Sequence, residues 1–173
     1  MKELDDAVYR ADFEKNAGRA SRVRPLHQII IGPPGTGKIF EARSYAKKLS
    51  KTALIRDEYL VFDGNMIGDD VITLQSILQI FNQHKNGVVI IDDIYFYMTT
   101  LNNSILNLID GIVRSIHEDG GPVFVLTGDN KEMERFLNQN PALKNVLPPP
   151  VYTRSLLQAE KKTAPPSGPE AKK

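Results

Sequence analysis

Residues 32–39 read Gly32-Pro33-Pro34-Gly35-Thr36-Gly37-Lys38-Ile39, and the first seven fit Gly-x-x-x-x-Gly-Lys, the pattern of a phosphate-binding loop. Glycines let the main chain curl so that successive N–H groups point at one anion. A helix starting behind the loop adds its dipole, and Lys38 is placed to reach the β- and γ-phosphates of a nucleotide. The eighth position of such a loop carries a Ser or Thr hydroxyl that ligates magnesium; here it is Ile39, which has no oxygen to offer.

The loop pattern has meaning only between a strand and a helix. Residues 26–31 are a short apolar run rich in β-branched side chains, bounded by Pro25 and Gly32, and read as a buried strand. Residues 37–50 carry Phe40, Ala42, Tyr45, Ala46 and Leu49 and read as the helix. Further strands are expected at 59–62, 88–91 and 123–126. Helices are expected at 3–17 (Leu4, Ala7, Val8, Ala11, Phe13), 71–83 (Ile77, Leu78, Phe81), 103–117 (Ile105, Leu106, Leu108, Ile109, Ile112, Ile116) and 131–138. Pro148-Pro149-Pro150 is expected to end regular structure. Alternating strands and helices, with strands apolar throughout, predict an α/β fold: a three-layer sandwich around a mainly parallel sheet.

Three segments follow: an N-terminal helix with a basic linker (1–24, including Arg19, Arg22 and Arg24), a core (25–153), and a tail (154–173). The tail is rich in Lys, Pro, Ala, Ser and Glu and is expected to be disordered.

A second site element ends the third strand. Residues 88–93 read Val-Val-Ile-Ile-Asp-Asp, an apolar run closed by two carboxylates. Open α/β sheets bind ligands at the carboxyl ends of their strands. Asp92 is the candidate for the metal side of the site, and Asp93 stands where a water-activating base belongs.

Composition bounds the rest. With 173 residues and 41% hydrophobic content the chain suits one globular domain with a core, and a net charge of +1 gives no bulk attraction to nucleic acid or acidic lipid. The absence of cysteine excludes disulfides and thiolate chemistry, and the three histidines, His27, His84 and His117, are not spaced as metal ligands. No apolar run approaches a membrane span and the N-terminus lacks a signal core, so the expectation is an intracellular, cytoplasmic protein with neither a membrane nor a nucleic acid as partner. Tyr95, Phe96 and Tyr97 read as core or interface packing.

These pieces together resemble the AAA+ ATPases. The residues that carry the resemblance are GPPGTGK (32–38), VVIIDD (88–93) and VFVLTGDNKEMERFLNQNPAL (123–143), with Pro25-Leu26-His27 ahead of the first strand. The subgroup most similar contains the red-type Rubisco activases and the stage V sporulation protein K-like proteins. The resemblance covers roughly residues 5–147 and implies ATP and magnesium as cofactors. It also implies a homo- or hetero-oligomeric ring, and a protein substrate or a regulated AAA+ partner. By position it implies phosphate binding at residues 32–39, a magnesium shell at Asp92, catalytic roles for Lys38 and Asp93, and a polar sensor at Thr127 or Asn130.

Four departures from that family pattern point the same way. Ile39 weakens the magnesium site. Asp93 replaces a Glu and retracts the carboxylate by about 1.5 Å, one C–C bond. Lys144 stands near the place of an arginine finger, whose planar fork a point charge does not reproduce. Residues 67–71, Ile-Gly-Asp-Asp-Val, lack the aromatic that grips a threaded substrate, and only the tail stands where a helical lid is expected. Three functions stay open on this reading: an ATP-binding core that hydrolyses poorly, a working ATPase completed by a partner, and a non-enzymatic module that regulates active relatives.

Overall fold

The computed structural model describes residues 2–16, 26–52, 55–63, 73–95 and 104–153. In chain order the elements are α1 (Lys2–Asn16), β1 (Gln28–Ile31), α2 (Lys38–Lys51), β2 (Tyr59–Asp63), α3 (Leu74–Gln83), β3 (Val88–Asp92), α4 (Ser104–Ile116), β4 (Val123–Gly128), α5 (Asn130–Gln139), α6 (Pro141–Val146) and β5 (Val151–Tyr152). The five strands form one sheet in the order β2-β3-β4-β1-β5, and every pairing is parallel.

The strands are apolar on both faces because both faces are covered. Side chains alternate across the sheet, so Ile29, Ile31, Val89, Ile91, Phe124 and Leu126 enter one core, with residues of α3, α4, α5 and α6. Ile30, Val88, Ile90, Val123 and Val125 enter the other, with Ala42, Tyr45, Ala46 and Leu49 of α2 and Leu4 and Ala7 of α1. These are the three layers expected of the sequence.

Differences from the sequence reading have local causes. Phe40 is 71% exposed. The buried stripe of α2 runs through Ala42, Tyr45, Ala46 and Leu49, and two residues at 100° each carry Phe40 to the opposite face. Phe13 and Leu106 are exposed for the same reason. The side chain of Ala11 lies outside the described residues.

The proline run does not end regular structure. After Pro148-Pro149-Pro150 the chain adds β5 at the sheet edge, beside β1, where Ile30 pairs with Val151 and Ile31 with Tyr152. An edge strand two residues long carries too little periodicity to be read from sequence. Ahead of the proline run α6 starts at Pro141, whose missing N–H belongs to a helix's first turn, where no intrahelical acceptor is waiting.

Candidate functional site

The sheet order brings the carboxyl ends of β1, β3 and β4 side by side. Ile31 pairs with Gly128, Ile91 with Leu126, and the Gly32 amide donates to the Gly128 carbonyl at 3.1 Å. The glycine loop and the two acids at the end of β3 therefore meet at one edge.

The loop curls through two left-handed glycines, Gly35 (φ +77) and Gly37 (φ +78), a conformation other residues adopt only with strain. Gly37 is the N-cap of α2 and supplies no side-chain cap. Pro33, Pro34, Gly35 and Gly37 are exposed, so the mouth of the loop faces outward. The Thr36 amide turns back to the Pro33 carbonyl at 3.4 Å, and its hydroxyl donates to the same oxygen at 2.8 Å. The Thr36 hydroxyl is also hydrogen-bonded to Thr153 Oγ1 at 2.7 Å.

Thr153 follows β5 and is anchored by its own amide to the Ile31 carbonyl at 2.7 Å. Its hydroxyl lies over Gly32: a Cβ added there would sit 1.7 Å from Thr153 Oγ1 and 2.8 Å from Thr36 Oγ1. Gly32 is thus required by the chain that crosses it as well as by the loop it begins.

Lys38 is drawn inward. Its Nζ donates to the Gly32 carbonyl (2.9 Å), the Pro33 carbonyl (3.1 Å) and Asp129 Oδ1 (2.9 Å). Ile39 is half-buried and packs against the core under α2.

Across the cleft, Thr127 is fully buried on β4 and its hydroxyl donates to Asp92 Oδ1. Asp93 has a left-handed backbone (φ +48), which turns the chain sharply off β3. Its Oδ1 accepts from Tyr95 Oη at 3.0 Å. Burial raises the Asp93 pKa above its ordinary value, and the charge of Asp92 adds to the rise, while the Tyr95 bond and Lys38 oppose it. Tyr95 also faces Gly128, where an added Cβ would lie 2.8 Å from its ring. Asn130 is exposed at the start of α5. Lys144 is exposed and donates to Asn138 Oδ1 at 2.8 Å. Residues 67–71, Phe96, Tyr97 and the 154–173 tail lie outside the described residues.

A disfavoured carboxylate costs stability once it ionises. The unfolded chain releases the Asp93 proton near 3.8 and the folded chain releases it higher, so stability falls as pH rises between those values. Asp93→Asn is expected to raise the melting temperature at neutral pH. The pH-dependent part of that gain should vanish below the ordinary Asp pKa of 3.8. Thermal melts of both proteins at pH 7 and pH 3.5 measure it; an unchanged difference at the two values would contradict the burial argument.

Phosphates fit what the loop offers: an exposed bend through two αL glycines, with open space where a Cβ would stand, and an ammonium beneath. For magnesium the chain offers less. Ile39 has no donor, one Asp92 oxygen is shared with Thr127, and among the described residues no three His, Asp or Glu side chains converge as a metal cage. Magnesium commonly rides on nucleotide phosphates and keeps several waters, so Asp92 suits such an ion as one carboxylate partner.

Sequence reasoning missed three neighbours of the site: Asp129, Tyr95 in its contact with Asp93, and Thr153. Only Asp129 left a trace, as the acid between Gly128 and Asn130 at the end of a strand.

A parallel sheet with this strand order, a glycine loop from β1 into α2 and an acid at the end of β3 define an α/β protein of the P-loop class. The chain belongs to the AAA family, the ATPase family associated with various cellular activities, whose family model matches residues 28–140. It is similar to the ESX-3 secretion system protein EccA3 of Mycolicibacterium smegmatis, with 28% identity over 159 residues, covering 88% of this chain and 25% of that protein. It is similar also to the stage V sporulation protein K of Bacillus subtilis, with 29% identity over 145 residues, covering 78% of this chain and 44% of that protein. The EccA3 protein of Mycobacterium tuberculosis is 27% identical over 148 residues. The chain spans from about a quarter to less than half of the length of these curated relatives. Among the described residues no helix is long and apolar enough to cross a membrane.

Proposed function

We propose that this ATPase-type core binds ATP at residues 32–39, with Asp92 across the cleft, and hydrolyses it poorly, serving as the nucleotide-binding domain of a protein remodeller. One observation carries the reading: the loop is curled and its lysine lies inward at 10% side-chain exposure, yet the adjoining position is a packed isoleucine. Binding machinery is present where the metal's direct protein ligand is not.

ATP supplies a γ-phosphoryl group for transfer to water. In this reading the amides of Gly35 and Gly37, and that of Thr36 once it leaves the Pro33 carbonyl, bind phosphate oxygens, Pro33 and Pro34 stiffen the loop, and Lys38 neutralises charge. Asp92 holds the water shell of a magnesium ion, weakly because Ile39 contributes nothing, while Thr127 fixes the Asp92 carboxylate by its bond. Asn130, exposed beside Asp129, is the other candidate to sense the nucleotide. Asp93 is the base, and three features oppose it: its short side chain, its turned backbone and its bond to Tyr95.

A second reading follows from that restraint on Asp93. The chain assembles with active AAA+ subunits and regulates them, its own site holding nucleotide without turnover. The family's habit of oligomerising supports either a homo- or a hetero-oligomer, in the cytoplasm.

The test is ATP titration calorimetry with and without magnesium, on the natural chain and on Ile39→Thr. The natural chain is expected to bind ATP with little dependence on magnesium, and the variant to gain that dependence. Because Ile39 is only half-buried, the variant should lose about 1 kcal/mol of stability, as for removal of one or two buried methyl groups. Absence of ATP binding sinks the proposal; brisk magnesium-dependent turnover by the natural chain sinks the claim of poor hydrolysis. Turnover that rises on mixing with a complete AAA+ subunit favours the second reading.

A further inference from the structure

Lys38 is saturated before any phosphate arrives. An ammonium has three N–H donors and no acceptor, and here all three are taken, by the carbonyls of Gly32 and Pro33 and by Asp129. Two of those acceptors are neutral. The third is an anion placed where a phosphate oxygen would be attracted.

Asp129 is also the N-cap residue of α5, with the extended backbone of such a residue (φ −79, ψ 152). Asp is favoured at this position because its carboxylate accepts from the amides of the first turn. In this fold it makes no side-chain cap bond. The carboxylate is committed to Lys38, 91 residues away in sequence. It therefore has two destinations: the ammonium, or the start of α5, where the helix dipole also favours negative charge.

We propose that Asp129 is a resident stand-in for the terminal phosphate. It tethers Lys38 in the loop and, displaced by a nucleoside triphosphate, turns onto the N-terminus of α5. This rests on the reading of residues 32–38 as an ATP site and adds a regulatory step to it. Binding becomes a competition between two anions for one ammonium, so a triphosphate displaces Asp129 more completely than a diphosphate does. The displaced carboxylate then firms the first turn of α5. That helix already reaches the sheet edge: Glu134 accepts from Tyr152 Oη at 3.4 Å, and the next residue, Thr153, touches Thr36 in the loop. Loop, α5 and β5 thus form a closed circuit with a switchable link at Asp129.

The experiment uses the full 173-residue chain, with D129N, D129A and K38A variants. ATP and ADP affinities are measured by calorimetry, and amide hydrogen exchange at Lys131 and Glu132 by NMR, with and without ATP. D129N keeps the side chain's shape and removes its charge, and should bind ATP about tenfold tighter, the scale of one partly exposed charge-assisted hydrogen bond. ATP should slow exchange of one of the two amides about fivefold in the natural chain, the scale of one helix cap, and leave both unchanged in D129A. If K38A weakens ATP binding while D129N binds no tighter than the natural chain, or if ATP leaves both amides unaffected, the switch is wrong and the ATP site stands. If K38A binds ATP as the natural chain does, the ATP site itself is wrong and the switch falls with it.

Discussion

Replacing Lys38 with alanine is expected to lower ATP affinity about a hundredfold, the scale of two charge-assisted hydrogen bonds less the bonds that the ammonium already makes within the protein. In the resting fold the ammonium rests on two carbonyls and one carboxylate. A triphosphate presents more charge than Asp129 alone, so the exchange is favourable, but only by the difference. Removing the ammonium removes that gain and leaves the Asp129 charge near the incoming anion without its counter-ion. The curled amides and the helix dipole remain, which is why some affinity should persist.

The fold should survive the change. Asp129 is 35% exposed and can be hydrated once released, so the melting temperature should fall by only a few degrees, as about 1 kcal/mol does in a domain of this size. Lys38→Arg should not restore binding, because a broad planar guanidinium does not fit where a compact ammonium sits between two carbonyls. Calorimetric titration of both variants checks the first claim and a thermal melt the second. ATP binding by Lys38→Ala at natural affinity would remove the phosphate-loop reading altogether.

The second large effect lies far from the site. His27 is buried just ahead of β1, tilted against Phe124 with ring centroids 5.7 Å apart, and its Nδ1 accepts the Phe124 amide at 2.8 Å. An accepting Nδ1 fixes the neutral tautomer with the proton on Nε2. Burial lowers its pKa from 6.5 to about 4. Above pH 6.5 both folded and unfolded chains carry a neutral His27 and stability is whole. As pH falls from 6.5 towards 4 the unfolded chain takes up the proton first, and stability is lost. By pH 4.5 the loss should reach roughly 2–3 kcal/mol, at 1.36 kcal/mol per pH unit.

Urea denaturation at pH 7 and pH 4.5 measures it, with His27→Asn as comparison. Asparagine keeps an acceptor near the place of Nδ1 but does not titrate. The variant should be less stable at pH 7, having lost the ring against Phe124, and should lose much less on acidification. Parallel pH profiles for the two proteins would show that His27 is not the group responsible.

The residues bear differently on the question of what was readable in advance. The strands could be read because burial on both faces forces continuous apolar runs such as Val88 to Ile91, and the loop because a curled backbone demands glycine at fixed spacing. Asp92 was legible as the first polar residue after such a run. Thr127 was half legible: its place at the end of β4 was clear, and the choice between it and Asn130 was not. The buried hydroxyl bonded to Asp92 and the exposed amide on α5 distinguish the two positions. Phe40 misled because aromatic character signals burial on average, whereas helical phase decides it at each position.

The sequence by itself determined four of the sheet's strands, the helices α1 to α5, the glycine loop and the missing hydroxyl at Ile39, because each depends on neighbours in the chain. Tertiary structure alone decided what surrounds Lys38 and Gly32. Asp129 reaches Lys38 across 91 residues and Thr153 reaches Thr36 across 117. Those meetings are set by which strands pair, and in what register, and no local pattern encodes that. Parallel strands joined through helices bring together residues whose positions in the chain say nothing of each other, and the charge that faces an incoming phosphate is fixed there.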